Sequence, residues 1–134
     1  MQCIIEAITR RDNLALIRFR VGDMEKLPEG EFCLWNGKEG IAAAAADALD
    51  GTSDMPAEWG YSRILFDGIG MHTLAGKVCA LLAEYPVAAV SVSDIRLGIL
   101  VPGSEADAVW LTLWTHFGPM LSHDRKRRAP GEAE

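Results

Sequence analysis

The residues whose types and spacing could do chemistry run from Asp67 through Gly68, Gly70 and His72, with Asp94 as their counterpart further along the chain. An apolar strand that ends in Gly-x-Gly and leads into a helix has the outline of a dinucleotide-binding turn. In such a turn glycines let the backbone approach a pyrophosphate, and an acid at the end of the next strand takes a ribose hydroxyl. The spacing departs from that pattern, because the third glycine would fall at position 73, which is Thr73, and Gly76 comes three residues too late. The segment from Gly70 to Val78 has the shape of a phosphate-binding loop, but with one residue too many and Val78 where a magnesium-binding hydroxyl belongs. A helical period already covers residues 74–78, so that segment is not a loop.

What remains is a matter of geometry. If strands at residues 63–67 and 87–93 are parallel neighbours joined by a right-handed crossover, their carboxyl ends open on one edge. That edge would gather Asp67, Gly68, Gly70, His72, Ser93 and Asp94. Ligands in open α/β sheets bind at such edges, and two carboxylates with an imidazole can move protons or hold a cation. The competing structural reading is plain: Asp67-Gly68 is a turn, His72 is first-turn polarity and Asp94 is a strand breaker.

No other constellation carries chemistry. Cys3, Cys33 and Cys79 are far apart with no C-x-x-C pair, so they are read as reduced and buried. His116 and His123 share no motif with each other or with the cysteines, and no G-x-S-x-G is present. No catalytic residue, metal site or cofactor is therefore expected. Trp110, Trp114 and Phe117 fall on one face of a C-terminal helix and read mainly as core, with a tryptophan at the helix edge available as an interface anchor. Arg125–Arg128 is a short basic run, expected to be solvated.

The elements that would position these residues follow from periodicity. The central unit is a strand at residues 63–67, a glycine turn, a helix over 71–85 and a strand from 87. Leu74, Val78, Leu81, Leu82 and Tyr85 share one arc of that helix, and Pro86 ends it. Asp94 interrupts the following apolar alternation, which resumes over residues 95–101 as the same strand or as a second one. Upstream, residues 2–9 and 14–21 read as two strands of a hairpin turning at Arg10-Arg-Asp-Asn13. Residues 22–30 read as a loop, and residues 31–35 as a third strand closed by Asn36-Gly37.

Ile41–Leu49, with five consecutive alanines, predicts a short helix ended by Gly51. Residues 52–61 are expected to be a connection with one helical turn at 56–59. Ser104 reads as the N-cap of a last helix that Gly118-Pro119 ends. The expected architecture is α+β: one two-layer domain over residues 1–121, with a mixed sheet, an N-terminal β-hairpin, a central βαβ unit and about three helices. Residues 122–134 are expected to be a solvated tail, basic and then acidic.

Composition bounds the rest. A chain of 134 residues, 49% hydrophobic and 24% charged, is an ordinary folded domain. Such a domain buries roughly two-thirds of its unfolded surface. A net charge of −6 argues against general nucleic-acid binding, which rests on neutralising phosphates. The N-terminus lacks the basic and apolar regions of a signal peptide, and no apolar run is long enough to span a bilayer. A cytoplasmic location with no membrane contact is the expectation.

The order hairpin, helix, strand, helix, strand, helix is similar to the STAS domain of anti-sigma-factor antagonists. Phe66-Asp-Gly-Ile69 resembles the end of its strand, Gly76 falls where its first helix glycine would, and Val101-Pro-Gly-Ser to Val109 resembles its last strand and helix. Leu74 or Ala75 stands at the phosphorylatable serine, Thr73 at the preceding acid, and Lys77-Val78 replaces Leu-Gly. The resemblance thus implies topology over about half the chain, without the phospho-switch.

The leading functional expectation is a small acidic, non-enzymatic regulatory or inhibitory protein of bacterial or phage type, acting through a protein partner or as a homo-oligomer. An inhibitor of a nucleic-acid-processing complex belongs to this class. The alternatives are a small-ligand or nucleotide-binding domain or enzyme using the Asp67/His72/Asp94 edge, and a STAS-like regulatory domain lacking its serine.

Overall fold

The computed structural model describes residues 3–26, 32–45 and 57–121. In chain order they form β1 (Ile4–Arg20), a 3-10 turn (Val21–Lys26), β2 (Phe32–Asn36), β3 (Glu39–Ala45), β4 (Ala57–Ile69) and α1 (Met71–Leu81). Then come β5 (Ala89–Val92), β6 (Arg96–Pro102), α2 (Gly103–Phe117) and a 3-10 turn at Gly118–Met120. The strands make one six-stranded sheet in the order β2-β3-β1-β4-β6-β5. Both helices pack on one face of it, over Ile64, Phe66, Leu97, Ile99 and Val101, so the class is α+β in two layers. There are two α-helices among the described residues rather than about three. Among the described residues no helix is long and apolar enough to cross a membrane.

The expected N-terminal hairpin is instead one strand. β1 runs through Arg10–Asn13 without turning, and the extra residue there is taken up as a bulge between Arg11 and Leu14. Asn13 sits at φ 60, in the left-handed region that asparagine tolerates better than most residues. β4 supplies the reason: it pairs with β1 on both sides of the bulge, so a turn would forfeit half of that ladder. A second bulge, between Ile5 and Ala7, shifts the alternation by one residue. Ile5 and Ile8, which strict alternation puts on opposite faces, both enter the core under the helices as a result.

The helix expected over residues 41–49 is not formed in its described part, residues 41–45, which belong to β3. Gly37, at φ 78, turns β2 back on β3, with Asn36 paired to Glu39. A glycine first in a two-residue loop is a hairpin signal, and it commits the next residues to pairing. Leu14 to Arg20 of β1 then pair with Ala45 back to Glu39. Helix propensity is a weak preference that this burial overrides: Ala42, Ala43 and Ala44 are all buried. The loss of this helix also removes an element from the order that resembled a STAS domain. The connection expected over 52–61 is strand from Ala57 onward.

The sheet coils strongly. Cα atoms of β2 and β5, the two edge strands, approach within 8 Å of each other. The inside of the coil holds a second core of Leu14, Leu16, Ala43 and Leu100, bordered by Leu34, Tyr61 and Ala89.

The central βαβ unit exists in a split form. β6 lies between β4 and β5 and pairs antiparallel with both, so the two outer strands run parallel without touching, and the sheet is antiparallel rather than mixed. The break at Asp94 is the tip of the β5–β6 hairpin, closed by the Ser93 N–H donating to the Arg96 carbonyl at 2.8 Å. Leu74, Val78 and Leu82 are buried as the helical spacing requires, but α1 ends at Leu81 and the chain reaches Tyr85 through turns. α2 starts at Gly103 without a side-chain cap, not after Ser104, because Pro102 is still paired with Tyr61 when the helix begins. Residues 46–56 and the tail at 122–134 lie outside the described residues.

Candidate functional site

The corner where β4 turns into α1 is shaped by two glycines. A Cβ on Gly68 would run into the Ile4 carbonyl of β1, so only glycine lets the two backbones lie this close. Gly70, at φ 75 and ψ 27, stands at the N-cap of α1 in a conformation that side chains disfavour. The Gly-x-Gly motif is accounted for by these backbone demands.

The tip of the β5–β6 hairpin docks on this corner. Gly68 N–H donates to the Ile95 carbonyl at 3.0 Å, and Met71 N–H donates to the Asp94 carbonyl at 2.9 Å. The second bond occupies a backbone donor in the first turn of α1, one of those with no partner inside the helix. His72 Nδ1 lies 3.1 Å from Asp94 Oδ1, a contact that is an ion pair only when the imidazole is protonated. Asp67 sits directly across from Arg96 in the β4–β6 ladder and accepts from its Nε at 2.8 Å. The glycine turn after Asp67 and the His72–Asp94 pair therefore meet at one corner, while the Asp67 side chain meets Arg96. The parallel crossover invoked for them does not bring them together; the antiparallel β6 and its hairpin do.

Arg96 escaped the sequence reading, where it is merely a polar residue alternating with apolar ones. Its partnership with Asp67 becomes visible only once the two strands are known to be antiparallel neighbours. Ile69 and Ile95, both exposed, border the same corner.

Two side-chain pairs are therefore formed here, Asp67 with Arg96 across the β4–β6 ladder and His72 with Asp94 at the start of α1, all at least partly open to water. Among the described residues no group of three or more His, Cys, Asp or Glu side chains could hold a metal ion. Burial pushes the Cys3 thiol up, with Lys77 only partly offsetting it, so Cys3 is not an activated nucleophile.

The three aromatic residues of α2 divide. Phe117 is buried and meets Phe66 edge-on, with ring centroids 5.7 Å apart. Trp110 and Trp114 are half-buried and lie against each other at 5.6 Å.

A separate polar chain fastens the β1 bulge. The buried Ser62 hydroxyl donates to Asp12 Oδ1 at 2.7 Å, Arg10 Nε donates to the same carboxylate at 2.8 Å, and Arg10 also reaches Asp107 of α2 at 2.9 Å. Burial works to raise the Asp12 carboxyl, but the bonds from Ser62 and Arg10 outweigh it and hold the group below its usual range.

No protein-family model matches this sequence, and no curated protein sequence is detectably similar to it. Solved structures do share its fold. Aspartate kinase from Clostridium acetobutylicum matches with a TM-score of 0.72 at 13% identity, over 87% of this chain and 35% of the kinase chain. Escherichia coli aspartokinase III, in complex with lysine and aspartate, matches with a TM-score of 0.65 at 15% identity, over 84% of this chain and 33% of that one. A C-terminal regulatory domain of aspartate kinase from Porphyromonas gingivalis matches with a TM-score of 0.63 at 14% identity, over 85% of this chain and 97% of that domain.

The chain thus spans about a third of the whole kinases and nearly all of the isolated regulatory domain. The likeness is one of fold. It overturns the leading expectation of a protein–protein inhibitor of phage or bacterial type, because the shared architecture is that of regulatory domains, one of them in a kinase described with small molecules bound. The small-ligand alternative fits these neighbours better.

Proposed function

We propose that this chain is a regulatory module that binds a free amino acid at the corner between the β4–α1 turn and the β5–β6 hairpin. The observation that carries this reading is the Asp67–Arg96 ion pair there, with the His72–Asp94 contact beside the same turn. An amino acid carries an ammonium and a carboxylate a few bonds apart, and the corner offers a partner for each. Asp94 and Asp67 would take the ammonium. Arg96 would take the carboxylate, beside a helix start whose first turn contains no acidic residue. The E. coli aspartokinase of the same fold was solved with two amino acids, lysine and aspartate, which supports the ligand class.

A module of this kind acts by changing what it contacts, so the reading includes a second copy or a partner chain as its target and a cytoplasmic location. Free Cys3 and Cys79 are compatible with a reducing compartment.

Isothermal titration of the full chain with the common amino acids tests the proposal. At least one should bind with a Kd in the micromolar to low millimolar range. Asp94→Asn and Arg96→Gln should each weaken that binding about tenfold, the loss of one charge-assisted hydrogen bond. Absence of binding by every amino acid at millimolar concentration would discard it.

A further inference from the structure

The two helices cover one face of the sheet, and the opposite face has two unlike ends. At one end the coil closes over Leu14, Leu16, Ala43 and Leu100, which are buried inside it. Alternation along β6 puts Arg96 on the same face as Leu100, but at the other end. Alternation along β4 likewise puts Asp67 and Ile69 together there, away from Phe66, which lies under the helices. Across the ladders, Arg96 is the partner of Asp67, and Ile4 is the partner of Ile69. Ile4 is 40% exposed and Ile69 48%, although isoleucine is among the residues most often fully buried. Two neighbouring cross-strand pairs therefore share this open end. One is aliphatic, and the other is the ion pair of Asp67 Oδ1 with Arg96 Nε at 2.8 Å.

We propose that this open end is the contact surface for a second copy of the chain, packed face to face about a two-fold axis. A surface that meets its own copy in this way must be complementary to itself. This patch is, because it carries one cation, one anion and an apolar pair. The axis lies between the two sheets and runs diagonally past both pairs. It brings Asp67 over the partner's Arg96 and Ile69 over the partner's Ile4. Each carboxylate then meets two guanidiniums, one from its own β6 and one from the other copy, in a ring of four alternating charges. The isoleucines bury against each other beside that ring and shed water on both sides of the contact. A partner surface of one dominant charge would satisfy only one of Asp67 and Arg96 and repel the other. This contact does not depend on the amino-acid reading above. Because that reading draws on the same Asp67 and Arg96, assembly is measured with no amino acid present.

The test is sedimentation velocity of the full chain across micromolar to millimolar concentrations. The wild type should form a dimer. Ile69→Lys should weaken it about a hundredfold, by placing a charge in the apolar part of the contact. Asp67→Arg alone and Arg96→Asp alone should each weaken it by a similar factor, because each sets like charges against one another. Mixed in equal amounts, those two variants should dimerise with each other, since every contact between the copies then joins opposite charges. A role of Asp67 and Arg96 confined to their own chain cannot be rescued by mixing. Trp110→Ala should leave the dimer intact. Both charged side chains are open to water, so the two charge variants should keep the wild-type circular dichroism. If either does not, Ile69→Lys and Ile4→Lys decide in their place. A wild type that stays monomeric throughout overturns the inference. A folded mixture that stays as monomeric as its components also overturns it, as does a dimer that survives Ile69→Lys or is lost in Trp110→Ala.

Discussion

His72 Nδ1 and Asp94 Oδ1, 3.1 Å apart, join the first turn of α1 to the tip of the β5–β6 hairpin. Both side chains are more than half exposed, so the bond itself contributes little to stability, about 0.2–1 kcal/mol for a pair of this kind. The hairpin is held to the corner chiefly by the backbone bonds from Gly68 and Met71. His72→Gln and Asp94→Asn are therefore expected to unfold at urea concentrations close to that of the wild type, while amino-acid binding by Asp94→Asn falls. A structural role alone would give the reverse, with lost stability and unchanged binding. Parallel urea and calorimetric titrations separate the two.

Gly68 and Gly70 are required for different reasons, and substitution should reveal it. A methyl group on Gly68 meets the Ile4 backbone, which cannot move without opening the β1–β4 ladder. Gly70 holds a left-handed conformation, which a side chain adopts at a cost of roughly 1–2 kcal/mol. Gly68→Ala should accordingly be the more damaging of the two, by urea denaturation, with Gly70→Ala folded and measurably weakened. Equal losses would show that conformation, not close approach, governs both.

How far the chain could be read in advance depended on where information was local. The faces of α1 and α2, the Asn36-Gly37 turn and the break at Asp94 are written in short-range periodicity or turn chemistry, and they were legible. Arg10–Asn13 and Ala42–Ala46 misled because a distant strand decides their conformation. β4 makes a bulge cheaper than a turn at the first, and β1 recruits the described alanines of the second into the sheet. Of the candidate corner, Asp67, His72 and Asp94 could be named from strand ends alone. Arg96 could not, since its partnership with Asp67 depends on β6 inserting between β4 and β5.

The Ser62–Asp12 bond should make stability depend on acidity. Asp12 is held below its usual range in the fold, so its contribution is present above the pKa of the unfolded carboxyl. That contribution is lost as pH falls through the lower folded value. Ser62→Ala removes a hydroxyl that donates to the ionised carboxylate, at a cost of about 1 kcal/mol after allowing for solvent on the half-exposed acid. The difference between wild type and Ser62→Ala should be largest at neutral pH and shrink toward strongly acid pH, where Asp12 is protonated in both. Urea melts across that range give the answer. A difference that stays constant would mean that Ser62 acts by packing alone.

Phe117 and Trp110 test which aromatic side chains of α2 build the domain. Phe117 is buried against Phe66 in the core that both helices share, together with Leu113 and Val109. Truncation there leaves a cavity in a packed interior, and Phe117→Ala should cost about 3–5 kcal/mol. Trp110 touches the same core only from its margin and leans on Trp114. Trp110→Ala should cost clearly less than Phe117→Ala in the monomer. If α2 also meets a second copy or a partner chain, Trp110→Ala should instead lower the oligomeric state in sedimentation at concentrations where the wild type assembles. Phe117 cannot report on such a contact, because its ring is already enclosed by the fold.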